Sequence, residues 1–339
     1  MRRGSIVRMV VYGVLAGTVA SLVAVAVPWL PTSASEQMDR IVFTFWFTTV
    51  ICIGIFAIVA AIIVYCVLKF RAAPDDERDG PPVHGHTGLE IAWTAVPAVL
   101  VTAISIVSAI VLAQNEDAGD NPLRVNVTAA QFAWSFEYPA ENGEGGLRSG
   151  ELVLPVGRTV RLRLNANDVI HSFWVPEFGQ KSDAVPGIDT HLVITPTRIG
   201  SYSVVCTELC GLGHSTMRAP VAVVSEEDYD AFIARLASNG GGSGEETGEG
   251  IFASAGCGSC HSFEPAGTDS QVGPALDDLA GAAENAGLSL EDYVREGIVD
   301  PDARIAEGFQ AGVMPKTYET TLTDEQLDRL VQYLVEGQS

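Results

Sequence analysis

The chain has 339 residues, 42 of them acidic and 20 basic, for a net charge of −22, yet 47% of it is hydrophobic. So acidic a chain repels nucleic acid, whose phosphates are held by cationic side chains, and no nucleic-acid partner is expected. A chain that is both apolar and acidic must segregate the two properties, and its length suits two or three domains.

Residues 10–30 are an apolar run that follows Arg2, Arg3 and Arg8 and ends in P-W-L-P-T-S-A-S. A charged start, an apolar centre and a small-residue exit are the marks of a signal peptide, although the run is also long enough for an anchor. Residues 1–35 are read as a signal peptide or N-terminal anchor, with cleavage near Ala34 or Ser35 favoured. Residues 41–68 carry no charge between Arg40 and Lys69. As a helix they reach about 42 Å, more than the roughly 30 Å hydrocarbon core requires. Residues 91–113 reach about 35 Å. Together they predict a transmembrane hairpin over residues 36–115. The loop between the spans carries Lys69, Arg71 and Arg78, whereas the far flanks carry only Arg40 before Arg124. The positive-inside rule puts that loop in the cytoplasm and everything after residue 113 outside. Cys52 and Cys66 fall inside the first span and read as small membrane-facing residues.

Residues 116–236 predict an all-β domain. Short alternating segments run over 123–129, 133–138, 159–164, 190–194, 201–206 and 219–224, with turn residues between them. Such spacing predicts a sandwich or barrel. In Q-F-A-W-S-F-E-Y, alternation puts Phe132, Trp134, Phe136 and Tyr138 on one face, mostly as core.

Between Cys206 and Met217 the chain reads C-T-E-L-C-G-L-G-H-S-T-M. Thiolate, imidazole and a weak thioether are the ligands of copper electron-transfer sites. One copper needs one thiolate; two thiolates can bridge two coppers. The competing reading of Cys206 and Cys210 is a disulfide in an exported domain, which leaves His214 and Met217 unexplained. A second histidine must come from elsewhere. His84 and His86 lie in a polar loop between spans and His261 belongs to another motif. Of the remaining pair, His171 at a strand–loop junction is favoured over His191, read as a surface strand residue.

Residues 237–247 read as a linker, since 238–247 are S-N-G-G-G-S-G-E-E-T. Ten such residues span roughly 17 Å on average and reach about 35 Å at most. Residues 248–339 open a second redox unit. Cys257-Gly-Ser-Cys260-His261 has the C-x-x-C-H spacing of covalent haem attachment. Met314, in G-V-M-P, suits the sixth iron ligand, and Met/His ligation favours electron transfer. The closing L-T-D-E-Q-L-D-R-L-V-Q-Y-L has helical spacing, with Thr323 as N-cap and Gln326 three residues on.

The stretches H-S-F-W-V-P-E-F-G-Q-K-S-D-A-V-P-G and C-T-E-L-C-G-L-G-H-S-T-M resemble subunit II of cytochrome c oxidase with its dinuclear copper-A centre, over about residues 36–236. L-E-I-A-W-T-A-V-P at the second span resembles it too. G-E-G-I-F-A-S-A-G, V-G-P-A-L and the closing helix resemble a class I cytochrome c, over about 247–336, so the whole is similar to the cytochrome-fused, caa-type subunit. The resemblance implies a cupredoxin-like sandwich followed by an all-α cytochrome domain. It implies that Cys206 and Cys210 bridge two coppers, that His171 and His214 each bind one, and that Met217 and the carbonyl of Glu208 are weak axial ligands. The Glu208 carboxylate would reach a magnesium ion at the border with subunit I. Glu90 would sit near the mouth of a proton path, and Asp183 near the donor-docking face. Phe132 departs from the pattern, which has a tryptophan there.

The implied function is an electron relay from haem c to copper and on to subunit I, where oxygen is reduced to water with proton translocation. No catalytic oxygen site is expected in this chain, which has no further histidine cluster. Implied partners are oxidase subunits I and III, the membrane, and a cytochrome c or cytochrome-containing complex as donor. The implied location is the bacterial plasma membrane, with copper and haem domains on the outer side. A quinol-oxidase subunit would lack the copper ligands, and a nitrous-oxide reductase would need a large further domain.

Overall fold

In the computed structural model the described residues are 3–71, 82, 84–139, 146–238, 247–316 and 318–338. Arg78 and tether residues 239–246 lie outside them. The chain divides into two compact units.

The first unit holds three apolar helices, each long enough to cross a membrane: α1 (Arg3–Ala26), α2 (Glu36–Lys69) and α3 (Thr87–Glu116). The last two run past the uncharged cores of residues 41–68 and 91–113, because their polar ends continue the hydrogen-bond ladder. At the start of α3 the backbone N–H of His86 donates to Glu90 Oε1 at 3.0 Å, and Leu89 N–H donates to His86 Nδ1 at 3.2 Å. This reciprocal cap supplies the orphan donors of a first turn. It gives His86 a local role that its position in a polar loop did not suggest. Helix α1 approaches α2 through small residues. A side chain on Gly13 would begin 3.6 Å from Ala61 Cβ, and one on Gly17 would begin 3.4 Å from Ala57 Cβ. Glycines four apart let membrane helices pack backbone to backbone.

The second unit begins with residues 33–38, where cleavage was favoured. Ala34 and Ser35 are fully buried there, and Ser35 Oγ donates to the Phe178 carbonyl at 3.0 Å. This segment is thus an integral part of the β domain. Ten strands form two five-stranded sheets. The first has order β3-β2-β1-β5-β8, from β3 (Gly146–Ser149), β2 (Ala133–Pro139), β1 (Leu123–Ala130), β5 (Val160–Ala166) and β8 (Thr190–Ile194). The second has order β4-β10-β9-β6-β7, from β4 (Leu152–Pro155), β10 (Arg218–Val224), β9 (Gly200–Cys206), β6 (His171–Trp174) and β7 (Lys181–Ala184). The inner faces alternate with exposed residues, as in β1, and supply one core that includes Trp134, Phe136, Tyr138, Leu162 and Phe173. This is the expected cupredoxin-like sandwich. Helix α4 (Glu226–Ser238) adds Phe232 against the Tyr138 ring, 5.4 Å between centroids.

A helical domain follows, with α5 (Gly248–Ser254), α6 (Leu279–Ala286), α7 (Leu290–Val299), the single turn α8 (Tyr318–Thr321) and α9 (Asp324–Glu336). Thr323 and Gln326 form the expected capping box of α9. Ile251, Phe252, Phe263, Leu330, Val331 and Leu334 make its core.

The α1–α2 contact has a direct test. With Cys52 and Cys66 replaced by Ser, cysteines at positions 13 and 61 should oxidise to a disulfide, since their Cβ atoms would stand 3.6 Å apart, inside the range for an unstrained bridge. Peptide mapping of the oxidised membrane protein should recover the 13–61 cross-link, and its absence would show that α1 does not pack there.

Candidate metal centre

Strand register brings the first ligand candidates together. Phe173 of β6 pairs with Cys206 of β9, so His171 at the start of β6 and Cys206 at the end of β9 share one edge of the sandwich. The loop from β9 to β10 is closed at its base by Cys206 N–H donating to the Met217 carbonyl at 3.1 Å. Within it a short helical turn over His214–Thr216 swings the histidine back toward the cysteines.

The sequence-predicted donors converge. The Cys206 and Cys210 sulfurs are 3.8 Å apart and both are free thiols. His171 Nδ1 is 3.1 Å from Met217 Sδ and 3.9 Å from Cys206 Sγ, while His214 Nδ1 is 3.5 Å from Cys210 Sγ. The Glu208 carbonyl oxygen lies 3.3 Å from Cys206 Sγ, and its carboxylate side chain is exposed. Ligand atoms of His171, Cys206 and Cys210 all lie within 4.8 Å of one another, and all three residues are buried. Two soft sulfurs, two imidazole nitrogens, a thioether and a carbonyl around one buried point fit copper. His191 is exposed on β8, away from this cluster.

Two residues beside the cluster escaped the sequence reading. Asp168 Oδ1 lies 2.8 Å from His171 Nε2, so that nitrogen donates outward and Nδ1 faces the sulfurs. A carboxylate on the far nitrogen of a ligating histidine fixes tautomer and ring angle. The signal was the N-D-V-I-H spacing. Gln131 Nε2 donates to the Cys210 carbonyl at 2.5 Å, and its 79-residue separation left no local signal.

Burial disfavours a proton on His171, but Asp168 and Cys206 outweigh it and lift the group to about 9. Burial also opposes ionisation of both thiols. For Cys206 the His171 contact and backbone hydrogen bonds outweigh it, and the thiol falls below its ordinary range. For Cys210 the neighbouring Cys206 charge adds to burial and pushes the thiol up.

The second cluster lies in a mostly apolar cavity lined by Cys257, Cys260, His261 and Met314 together. His261 Nδ1 is 2.7 Å from the Pro274 carbonyl, which accepts its proton and leaves Nε2 free. A side chain on Gly273 would begin 2.6 Å from the imidazole, so V-G-P holds that ring by close backbone approach. Burial lowers the basicity of His261 and raises both cysteine thiols. Paired thiols, a neutral imidazole and a thioether around an apolar space fit a covalent haem. Glu90 and Asp183 are both exposed, and neither belongs to either cluster.

Residues 147–225 match the family of the periplasmic domain of cytochrome c oxidase subunit II, residues 23–111 its transmembrane domain, and residues 245–338 cytochrome c. Cytochrome c oxidase subunit 2 from Synechocystis is 33% identical, over 60% of this chain and 75% of its own length. The protein of that name from Alkalihalophilus pseudofirmus is 32% identical, over 84% of each. That from Thermostichus vulcanus is 35% identical, over 60% of this chain and 77% of its own length.

The raised His171 sets a pH dependence. Below about 9 the metal-free imidazole holds a proton that copper must displace, so affinity should rise with pH by about tenfold per unit for each proton released, and the slope should fall by one proton near pH 9 while the raised Cys210 thiol sustains the rest of the rise. Competition titration with Cu(I) and a chelator between pH 6 and 10 measures this. Asp168→Asn removes the largest contact favouring the proton and should move the break to lower pH. A profile with no change of slope near pH 9 would show that His171 holds no such proton.

Proposed function

The chain belongs to the cytochrome c oxidase subunit 2 family, and on that premise we propose that its two clusters are the stations of an electron relay: a covalent haem c at residues 257–314 and a dinuclear copper centre at residues 171–217. Its role is electron transfer within a haem–copper oxidase. The observation that carries the assignment is the convergence of Cys206, Cys210, His171, His214 and Met217 on one buried point.

Bound there, copper and haem supply one-electron storage. The rest is done by the chain. Cys206 and Cys210 would hold the coppers through their sulfurs, and His171 and His214 through one nitrogen each. Met217 and the Glu208 carbonyl would serve as weak further donors. Cys257 and Cys260 would attach the haem covalently, and His261 and Met314 would ligate its iron. Rigid sheets around the copper donors lower the rearrangement that accompanies a change of charge.

The exposed Glu208 carboxylate is then free to meet magnesium at a border with subunit I. Exposed Glu90, at the first turn of α3, would stand near a proton path into that subunit, and exposed Asp183 would face a donor. Partners beyond subunit I would be subunit III and a cytochrome c or cytochrome-containing complex. The charge bias of Lys69 and Arg71 against a far flank with only Arg40 supports a plasma-membrane topology with that loop inside and both redox domains outside. The 17 acidic and 4 basic residues of 248–339 suit a cationic donor.

Metal analysis and spectra of the purified oxidase test the assignment. Two coppers and one covalent haem per copy of this chain are expected. Cys206→Ser should abolish the mixed-valence copper spectrum and leave the haem spectrum intact. One copper or none in the unaltered protein would overturn the dinuclear centre.

A further inference from the structure

The two clusters share a wall. Phe132 and Ala133 line the cavity that also holds Cys257, His261 and Met314. The other side of the Phe132 ring lies on the β9–β10 loop. A side chain on Gly213 would begin 2.5 Å from that ring, and one on Gly211 would begin 3.0 Å from it and 2.7 Å from Gln131 Nε2. The helical domain meets the same strand where Gly256 abuts Ala133; a side chain on Gly256 would begin 2.2 Å from Ala133 Cβ. Gly312 faces Leu212 of the loop at 3.8 Å by the same measure.

Glycines and alanines cannot hold a ring in place by direction, because apolar contact is not directional. The directional contacts sit one residue earlier. Gln131 N–H donates to Asp168 Oδ2 at 2.6 Å, and the other oxygen of that carboxylate holds His171. Gln131 Nε2 donates to the Cys210 carbonyl at 2.5 Å. We propose that Gln131 is a positioning residue: its two hydrogen bonds tie the backbone before Phe132 to both sides of the copper site and keep that ring as the common wall of the haem cavity and the copper loop. This rests on the reading of residues 171–217 and 257–314 as copper and haem sites. Electron transfer weakens steeply with separation, so slack at this wall slows passage without altering either centre.

Gln131→Leu, of similar size but without the amide, tests this in the full-length oxidase. In the unaltered protein, two coppers and one haem per chain establish the sites independently of Gln131. In the variant, metal and haem contents, the copper spectrum and both potentials should be unchanged. Pulsed EPR should show a broader haem–copper distance distribution, and amide exchange at residues 131–134 of the metal-free chain should accelerate. Electron equilibration after photoreduction of the haem should slow severalfold. A rate and distance equal to those of the unaltered protein would overturn the proposal. Loss of copper or a shifted copper potential would overturn it too, by showing that Gln131 supports Cys210 as a ligand. If Gln131→Leu does not fold, Gln131→Asn, one methylene too short to reach the Cys210 carbonyl, is read by the same outcomes.

Discussion

The pairing of Phe173 with Cys206 is the constraint on which the copper cluster depends. It brings the start of one strand beside the end of another, so a histidine and a cysteine 35 residues apart meet without any loop having to find them. The backbone carries this further: Thr207 N–H donates to the Ser172 carbonyl at 2.9 Å, and Cys206 N–H to that of Met217. A one-residue slip in such a pair would turn His171 to the other face. Register is therefore protected by the buried aromatic face beneath it, where Trp134 stands edge-on to Phe173 with centroids 5.5 Å apart.

The helical domain solves the same problem with less sheet. Its histidine is held by one carbonyl and one glycine, and its methionine by a loop rather than a strand. Asp302 accepts the Gly312 N–H at 2.8 Å and meets Lys316 Nζ at 2.8 Å, so one carboxylate pins both sides of Met314. The ion pair is exposed and contributes little by itself. Its value lies in closing the loop around a ligand candidate.

What the sequence made legible followed the strength of local patterns. Long uncharged runs gave the helices α2 and α3, alternation gave β1, β2, β5, β8, β9 and β10, and Thr323 with Gln326 gave the start of α9. Strands β3, β4, β6 and β7 are only four residues each, too short for alternation to register. In β4 every residue is buried, since α4 covers it, and no alternation exists to read. The ligand candidates were legible because Cys, His and Met are rare and closely spaced. Asp168 and Gln131 were not, because Asp and Gln are ordinary surface residues whose roles arise only when distant strands meet. The burial of Ala34 and Ser35 was likewise invisible, since small residues at the end of an apolar run look the same whether exposed or packed.

Phe132, Gly211 and Gly213 form a matched set rather than three independent choices. The ring already touches the places where side chains on either glycine would begin, so a substituent there would have to push Phe132 toward the haem cavity. A larger ring at position 132 would have to grow in that same direction, because the loop side offers no space. Ala133 and Gly256 limit growth further along the strand by the same close approach. The departure from tryptophan at this position is thus consistent with a wall closed from both sides, in which ring size is set by the neighbouring helical domain as much as by the copper loop.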